Sequence, residues 1–411
     1  MENSTKNLHP IVGETLNNFF SKTEIMEFSQ LLTDEFLTSK SSTEESKTDR
    51  TGFQLRSGTQ TRYQIDLLIT FAEAKFQLEK LLEFLIYLGQ LTITGGENQI
   101  AIEIEEKLIS LCKGKSGTAN IIANAQLAIG EIYSRQAQWE LSINHLDEAA
   151  KIFKDENDLR GMIRCENILG TIQGDLGSLD EAKQHFERAL SDLQRVNDTA
   201  EGGKVEINLG IINSMQSNYD EAISYLKRAL INFEKLGEIR RIAEIKQNLG
   251  MVYTRKKEYL LALKEFDESI EASIKSNYLQ NLGISFISKA FVHTNLKDFE
   301  LAEAFSNKAM EIAYRINDKL SIAEVYKIKG IIYRSQDKTQ AAENSLLTSY
   351  RLNKDLGNQL NLAETAYELG ILYKQIGETD KASQYLIEAL SYFRKINSQA
   401  DIQDLEKIII F

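Results

Sequence analysis

Apolar residues along most of this chain return at three- and four-residue steps. One stretch reads Ile242, Ile245, Leu249, Val252, Tyr253, then Tyr259, Leu260, Leu263, Phe266, Ile270. This is the spacing of amphipathic helices with one buried face. Polar runs such as Asn218-Tyr219-Asp220-Glu221 and Ser178-Leu179-Asp180-Glu181 separate one helix from the next. They place acids in the first turn of the second helix, where the helix dipole favours negative charge. The predicted unit is helix, short turn, helix.

The unit repeats. Gly130, Gly170, Gly210, Gly250, Gly330 and Gly370 stand at one interval of 40 residues, and Ala290 fills the remaining step. Twelve residues after this column come Ser142, Ala182, Ala222, Ala262, Ala302, Ala342 and Ala382. Nineteen after it come Ala149, Ala189, Ala229, Ser269, Ala309, Ser349 and Ala389. Twenty-seven after it come Asn157, Asn197, Gly237, Asn277, Asn317, Gly357 and Asn397. A shared period of this length marks a solenoid, and no active site produces it. The small residues suit places where two helices approach closely. Gly and Asn most readily take the left-handed conformation that ends a helix.

Leu249-Gly250-Met251-Val252-Tyr253 with Ala262 and Phe266, and Leu369-Gly370-Ile371-Leu372-Tyr373 with Ala382 and Ala389, resemble the tetratricopeptide repeat. The resemblance covers residues 118–397 as seven units. It implies an all-α fold, a right-handed α-solenoid or superhelix of stacked antiparallel helix pairs. Two features depart from the commonest form. The period is 40 where the family's is about 34, enough for about one and a half extra turns per helix pair. The family's closing proline is also missing: Pro10 is the only proline, and Gly or Asn makes the turn. Repeats of this length are similar to those of kinesin light chains, of spindle-orientation adaptors and of bacterial peptide-responsive regulators. The fifth unit departs furthest, with Lys289, Ala290 and His293 in the Leu-Gly-Tyr columns.

The flanks differ. Residues 1–38 read as N-terminal helices: Ile11 to Phe20 is one, and Ser21 with Glu24 forms a capping box that opens a second, to about Thr38. Residues 39–60 read as a mobile linker, since Ser39 to Gly52 contains no apolar side chain. Residues 61–117 read as a degenerate helix pair: one long helix from Arg62 to Leu91, a turn at Thr94-Gly95-Gly96, and a return over Ile100 to Cys112. Gly117 lies 40 before Asn157 and keeps the register. Residues 398–411 read as a C-terminal capping helix whose Ile408-Ile409-Ile410-Phe411 tail packs on the last unit.

Composition changes the picture only in part. A chain of 411 residues suggests two or three domains, but in a solenoid each unit needs only its neighbours. The net charge of −12 and the pI of about 5.1 argue against nucleic acid. Cys112 and Cys165 make no disulfide framework, which fits a reducing compartment. The polar N-terminus has no signal-peptide core. The most apolar stretch, Ile65 to Leu91, carries Asp66, Glu73, Lys75, Glu79, Lys80 and Glu83, so membrane insertion is not expected. The expected location is the cytoplasm.

Catalysis finds no support. Gly114-Lys115-Ser116 ends like a phosphate loop, but Ile109 stands where that loop needs glycine. His145 and His185 are 40 apart and occupy equivalent places on neighbouring second helices, without the further ligands a metal needs. No Gly-x-Ser-x-Gly, Cys/His or His-Glu-x-x-His pattern appears. No enzyme, cofactor or metal is expected.

The resemblance implies that first helices line a concave groove, with residues near the glycine column pointing into it. Those residues are Arg164, Asn167, Asn208, Gln247, Asn248, Thr254, Arg255, Lys327, Arg334, Tyr367 and Lys374. In the 40-residue families, asparagines placed as Asn208 and Asn248 are hold the backbone of an extended peptide. An amide offers the donor and the acceptor that a peptide unit needs. Here Ser288, Ile328 and Glu368 interrupt the ladder. Arg164, Arg255, Lys327, Arg334 and Lys374 would favour an acidic or carboxylate-ended ligand, while Glu244, Glu324 and Glu364 on the same face oppose it. The implied function is a non-catalytic scaffold or adaptor that binds a peptide segment of a partner. The alternative is a peptide-responsive intracellular regulator whose N-terminal helices act on a target protein.

Overall fold

The computed structural model describes residues 8–41 and 57–410, which form twenty helices and, among those residues, no strand. The chain makes two compact units, residues 1–165 and 166–411.

The first unit begins with α1 (Pro10–Phe19), α2 (Lys22–Ser41), α3 (Ser57–Lys75), α4 (Leu78–Thr94) and α5 (Asn98–Cys112). The capping box is formed: Glu24 Oε2 accepts from the Ser21 backbone N–H at 2.8 Å, and Ser21 Oγ accepts from that of Glu24 at 3.4 Å. The single helix expected from Arg62 to Leu91 is broken into α3 and α4. Phe76 leaves the helical path to stack on Phe20, with ring centroids 4.8 Å apart, and Gln77 is extended at ψ 161°. Burying an aromatic ring outweighs the one turn of helix lost there. The region expected as one helix pair is thus crossed by three helices. The expected linker overlaps helix at 39–41 and 57–60, while residues 42–56, like 1–7, lie outside the described residues. Glu105 of α5 is 6% exposed, and a Cβ on Gly89 of α4 would stand 2.5 Å from its Oε1. Burial pushes this carboxyl up to about 8.

Seven helix pairs follow: α6 (Ala119–Arg135) with α7 (Trp139–Asp155), α8 (Leu159–Asp175) with α9 (Leu179–Leu193), α10 (Thr199–Met215) with α11 (Tyr219–Leu236), and α12 (Ile239–Arg255) with α13 (Tyr259–Lys275). Then come α14 (Leu279–Asn295) with α15 (Phe299–Arg315), α16 (Lys319–Ser335) with α17 (Thr339–Asp355), and α18 (Gln359–Gln375) with α19 (Thr379–Lys395). Each second helix drives a large side chain against the glycine of its first helix. A Cβ would meet Phe266 at 2.4 Å from Gly250, Leu346 at 2.5 Å from Gly330 and Leu386 at 2.5 Å from Gly370. Where Ala290 replaces glycine, the facing register position holds Ser306, fully buried. Small meets large in most repeats, and in the fifth small meets small. This is the size matching that close packing demands.

The closing turns are left-handed at Asn157, Asn277, Asn317, Asn397, Gly237 and Gly357. Asn197 departs from the column: α9 stops at Leu193, and Asp198 caps α10 by accepting from the Glu201 backbone N–H at 3.0 Å. Inside the pairs lies a second left-handed column, at Ala137, Gly177, Ser217, Lys257, Lys297, Asp337 and Gly377. Backbone bonds such as Asp298 N–H to His293 C=O, 2.9 Å, and Lys297 N–H to Thr294 C=O, 3.0 Å, complete each cap. The last helix, α20, spans Gln399–Ile410. Leu405 provides its buried contact, whereas Ile409 of the expected apolar tail is 42% exposed. The tail's Phe411 lies outside the described residues.

Candidate functional site

Within residues 166–411, the first helices line a groove holding two adjoining cavities of about 350 and 420 Å³. Met251, Arg255, Ile287, Ser288, Glu324 and Glu364 border both. The smaller has apolar walls of Met215, Ile284, Leu320 and Leu360, with the amides of Gln247, Asn248 and Asn361 between them. The larger adds the rings of Tyr219, Phe291, Tyr367 and Phe393.

Between these walls lies a network of opposite charges. Lys327, 5% exposed, pairs with Glu324 at 2.9 Å and with Glu364 at 2.5 Å. Arg255 reaches Glu364 at 3.2 Å and Asp401 of α20 at 3.5 Å. Arg334 pairs with Glu368. Burial works against the Glu364 carboxylate, but Lys327 and Arg255 outweigh it and hold its pKa below the ordinary value. Burial wins at Glu324 and Glu368, whose pKa values are raised despite Lys327 and Arg334. Burial, with Glu368 nearby, pushes the Tyr367 phenol up to about 12. Glu324 Oε2 and Arg334 Nε are buried and have no hydrogen-bond partner. The groove cations are therefore neutralised by the protein's own acids. The charge that would draw an acidic ligand is already taken up.

The structure gathers seven of the expected residues around the cavities: Gln247, Asn248, Thr254, Arg255, Lys327, Arg334 and Tyr367. Of these, Thr254 turns its hydroxyl back to donate to the Gly250 carbonyl at 2.8 Å. The others sit elsewhere. Asn208 donates to Asn167 Oδ1 at 2.9 Å, and Asn167 donates to Glu201 at 3.3 Å, so that part of the ladder is spent on internal bonds. Lys374 donates to the Ile408 carbonyl. Arg164 is exposed and belongs to the first unit. Sequence reasoning missed Tyr219, Asn361, Phe393, Asp401 and Asp404. Asn361 and Tyr219 stand at helix starts away from the glycine column, and Asp401 and Asp404 lie outside the repeats, where periodicity carries no signal.

The other motifs resolve locally. Gly114-Lys115-Ser116 follows helix α5 in a turn with Gly114 at φ +77°. His145 bonds Gln126 at 2.5 Å and His185 bonds Glu166 at 2.8 Å, each across its own helix pair. Among the described residues no group of three or more His, Cys, Asp or Glu is placed to hold a metal ion, and no helix is long and apolar enough to cross a membrane.

The sequence pattern of the tetratricopeptide repeat matches residues 121–195, 161–235 and 203–275, and again 363–395. A Rap protein complexed with competence and sporulation factor is similar in fold, with TM-score 0.63 and 12% identity, over 83% of this chain and 94% of that one. The quorum sensor NprR from B. thuringiensis, in its apo form, gives TM-score 0.60 and 16% identity over 82% and 94%. NprR in complex with its cognate peptide NprX gives 0.52 and 15% over 70% and 82%. At these identities the likeness is one of fold. The type II methyltransferase M.CeqI from Rhodococcus hoagii is 28% identical over 117 residues, and the match spans 27% of this chain but only 22% of that enzyme's length.

Proposed function

The chain belongs to the tetratricopeptide-repeat family, and from that premise we propose that it is a non-catalytic adaptor that grips a peptide segment of a partner in the groove of residues 166–411. The observation that carries this reading is the pairing of apolar walls with the amides of Gln247, Asn248 and Asn361 in one cavity. An extended segment presents apolar side chains and unpaired peptide groups together. Walls and amides satisfy both, because an amide donates to a carbonyl and accepts from an N–H. The fold-level likeness to NprR, which binds NprX, and to a Rap protein bound to its factor agrees with this use of the groove. Cys112 and Cys165, both buried and both thiols rather than disulfides, fit work in the cytoplasm.

Affinity capture with mass spectrometry tests the reading. Asn248→Ala removes an amide from the cavity wall. Asn208→Ala removes one already engaged by Asn167. The captured partner's segment, made as a synthetic peptide, should bind the Asn248 variant about tenfold more weakly, about 1.4 kcal/mol, and bind the Asn208 variant like the parent. Equal binding by both variants would refute the groove assignment.

The regulator reading differs in what the first helices do. Met26 and Leu31 of α2 are exposed at 55% and 39%, a surface open to a target protein. Deleting α1 and α2 would strip buried Phe20 and Phe28 from the first unit's core, so surface changes are the sounder probe. Met26→Glu with Leu31→Glu should leave peptide affinity unchanged in both readings. Only the regulator reading has a captured target disappear.

A further inference from the structure

In the groove of residues 166–411, α20 borders the larger cavity. At its far end α20 is anchored to the helices it follows. Leu405 is fully buried, Arg394 pairs with Glu406 at 2.8 Å, and Lys374 donates to the Ile408 carbonyl. At its near end it reaches across to repeats distant in sequence. The Ala400 backbone N–H donates to Ser217 Oγ at 3.3 Å, across 183 residues. Asp401 meets Arg255 at 3.5 Å, across 146 residues. Ile396, just before the left-handed residue Asn397, is 2% exposed, and its Cγ2 lies 3.2 Å from where a Cβ on Gly177 would be. Ala400, Asp401 and Asp404 consequently form one wall of the larger cavity, facing Tyr219 and Lys257.

The two ends are held differently. The anchored end has a buried leucine. The reaching end has the packing of Ile396 beside Gly177, one neutral hydrogen bond, and one ion pair whose side chains are both more than a quarter exposed, and such pairs are weak. Asp401 also accepts from the Ser398 hydroxyl at 2.5 Å, so its carboxylate keeps a hydrogen-bond partner when the cross-groove contact is lost.

We infer that α20 is a strap over the larger cavity of the groove, latched by Arg255 to Asp401 and Ala400 to Ser217, and that its near end must unlatch before the floor of that cavity can be reached. This goes beyond peptide binding and holds whatever the groove accepts.

Ile331 lines only the larger cavity, the one that α20 borders, and is 7% exposed. In the full chain carrying Ile331→Cys, the alkylation rate by iodoacetamide reads access to that cavity. The native Cys112 and Cys165 are fully buried and react slowly. Arg255→Gln and Asp401→Asn each break the latch. Both should speed alkylation by about 1.5–5-fold, the factor that the loss of a weak, partly exposed pair corresponds to. Glu406→Gln, at the anchored end, should not.

Charge effects on the thiol cannot imitate this result. Losing Arg255 raises a nearby thiol's pKa and slows it, whereas losing Asp401 does the reverse. Rates that move in opposite directions, or that stay at the parent value, overturn the strap. Should Ile331→Cys fail to fold, Phe291→Cys, which lines the same larger cavity, reports the same opening.

Discussion

Gly330→Ala adds a single methyl group where α16 meets α17. Its Cβ would stand 2.5 Å from Leu346 Cγ, 2.7 Å from Cδ2 and 3.3 Å from the Leu346 backbone nitrogen. Carbon atoms pack at about 3.5–4.0 Å, so the deficit is about 1 Å. Leu346 is fully buried. Its Cγ sits one bond from Cβ, so it escapes only if the helices part or the rotamer becomes eclipsed. Overpacking of this kind costs about 1–3 kcal/mol, while alanine gains about 1 kcal/mol over glycine within a helix. The expected net loss is about 0–2 kcal/mol by urea unfolding followed by circular dichroism. The fifth repeat supplies the compensating pair, Ala290 with Ser306. In a Leu346→Ser background the new methyl enters vacated space, so Gly330→Ala should be neutral or stabilising by up to about 1 kcal/mol. An equal loss in both backgrounds would refute the steric account of the glycine column.

Two further predictions concern buried charge. Because the pKa of Glu105 is raised to about 8, the folded chain holds a proton there that the unfolded chain has released. Its contribution is fully present below the unfolded carboxyl range and is lost as pH rises through about 8. Glu105→Gln should therefore gain stability relative to the parent between mildly acidic pH and pH 8.5, by a few kcal/mol at most, since a tenfold change in proton affinity is worth about 1.4 kcal/mol; parallel stability curves for the two proteins would sink the idea. Lys327→Met leaves Glu324 and Glu364 without their shared cation and should cost about 3 kcal/mol at neutral pH. The lowered pKa of Glu364 places its contribution above the ordinary carboxylate range, lost as pH falls. The penalty should accordingly shrink in acid, and a penalty independent of pH would argue that packing, not charge, keeps Lys327 buried.

Much of this was legible in the chain itself. The glycine column marks the close approach in every repeat where it occurs, and Asn157, Asn277, Asn317 and Asn397 end their helices as their residue type suggests. The second left-handed column was hidden, because Ala137, Lys257, Lys297 and Asp337 give no residue-level sign of a positive φ. There the helix geometry on both sides imposes a conformation that the side chain alone disfavours. The break at Phe76 escaped notice for a related reason. Its helical periodicity is intact, and the partner that pulls it aside, Phe20, lies more than fifty residues away.

The groove divides the same way. Which side chains stand near the glycine column follows from a period of 40 residues, a local property repeated along the sequence, and the resemblance to the tetratricopeptide repeat implies which helices line the groove. Whether those side chains are free does not. Arg255 reads as an available cation until Glu364, 109 residues on, and Asp401, 146 residues on, are brought against it. Asn208 reads as a rung of a peptide ladder until Asn167 accepts its hydrogen bond. Period and residue size act between neighbours, so a sequence can display them. The neutralisation of Arg255 and the contacts of α20 with Ser217 and Arg255 join side chains more than a hundred residues apart, and only the tertiary structure brings those together.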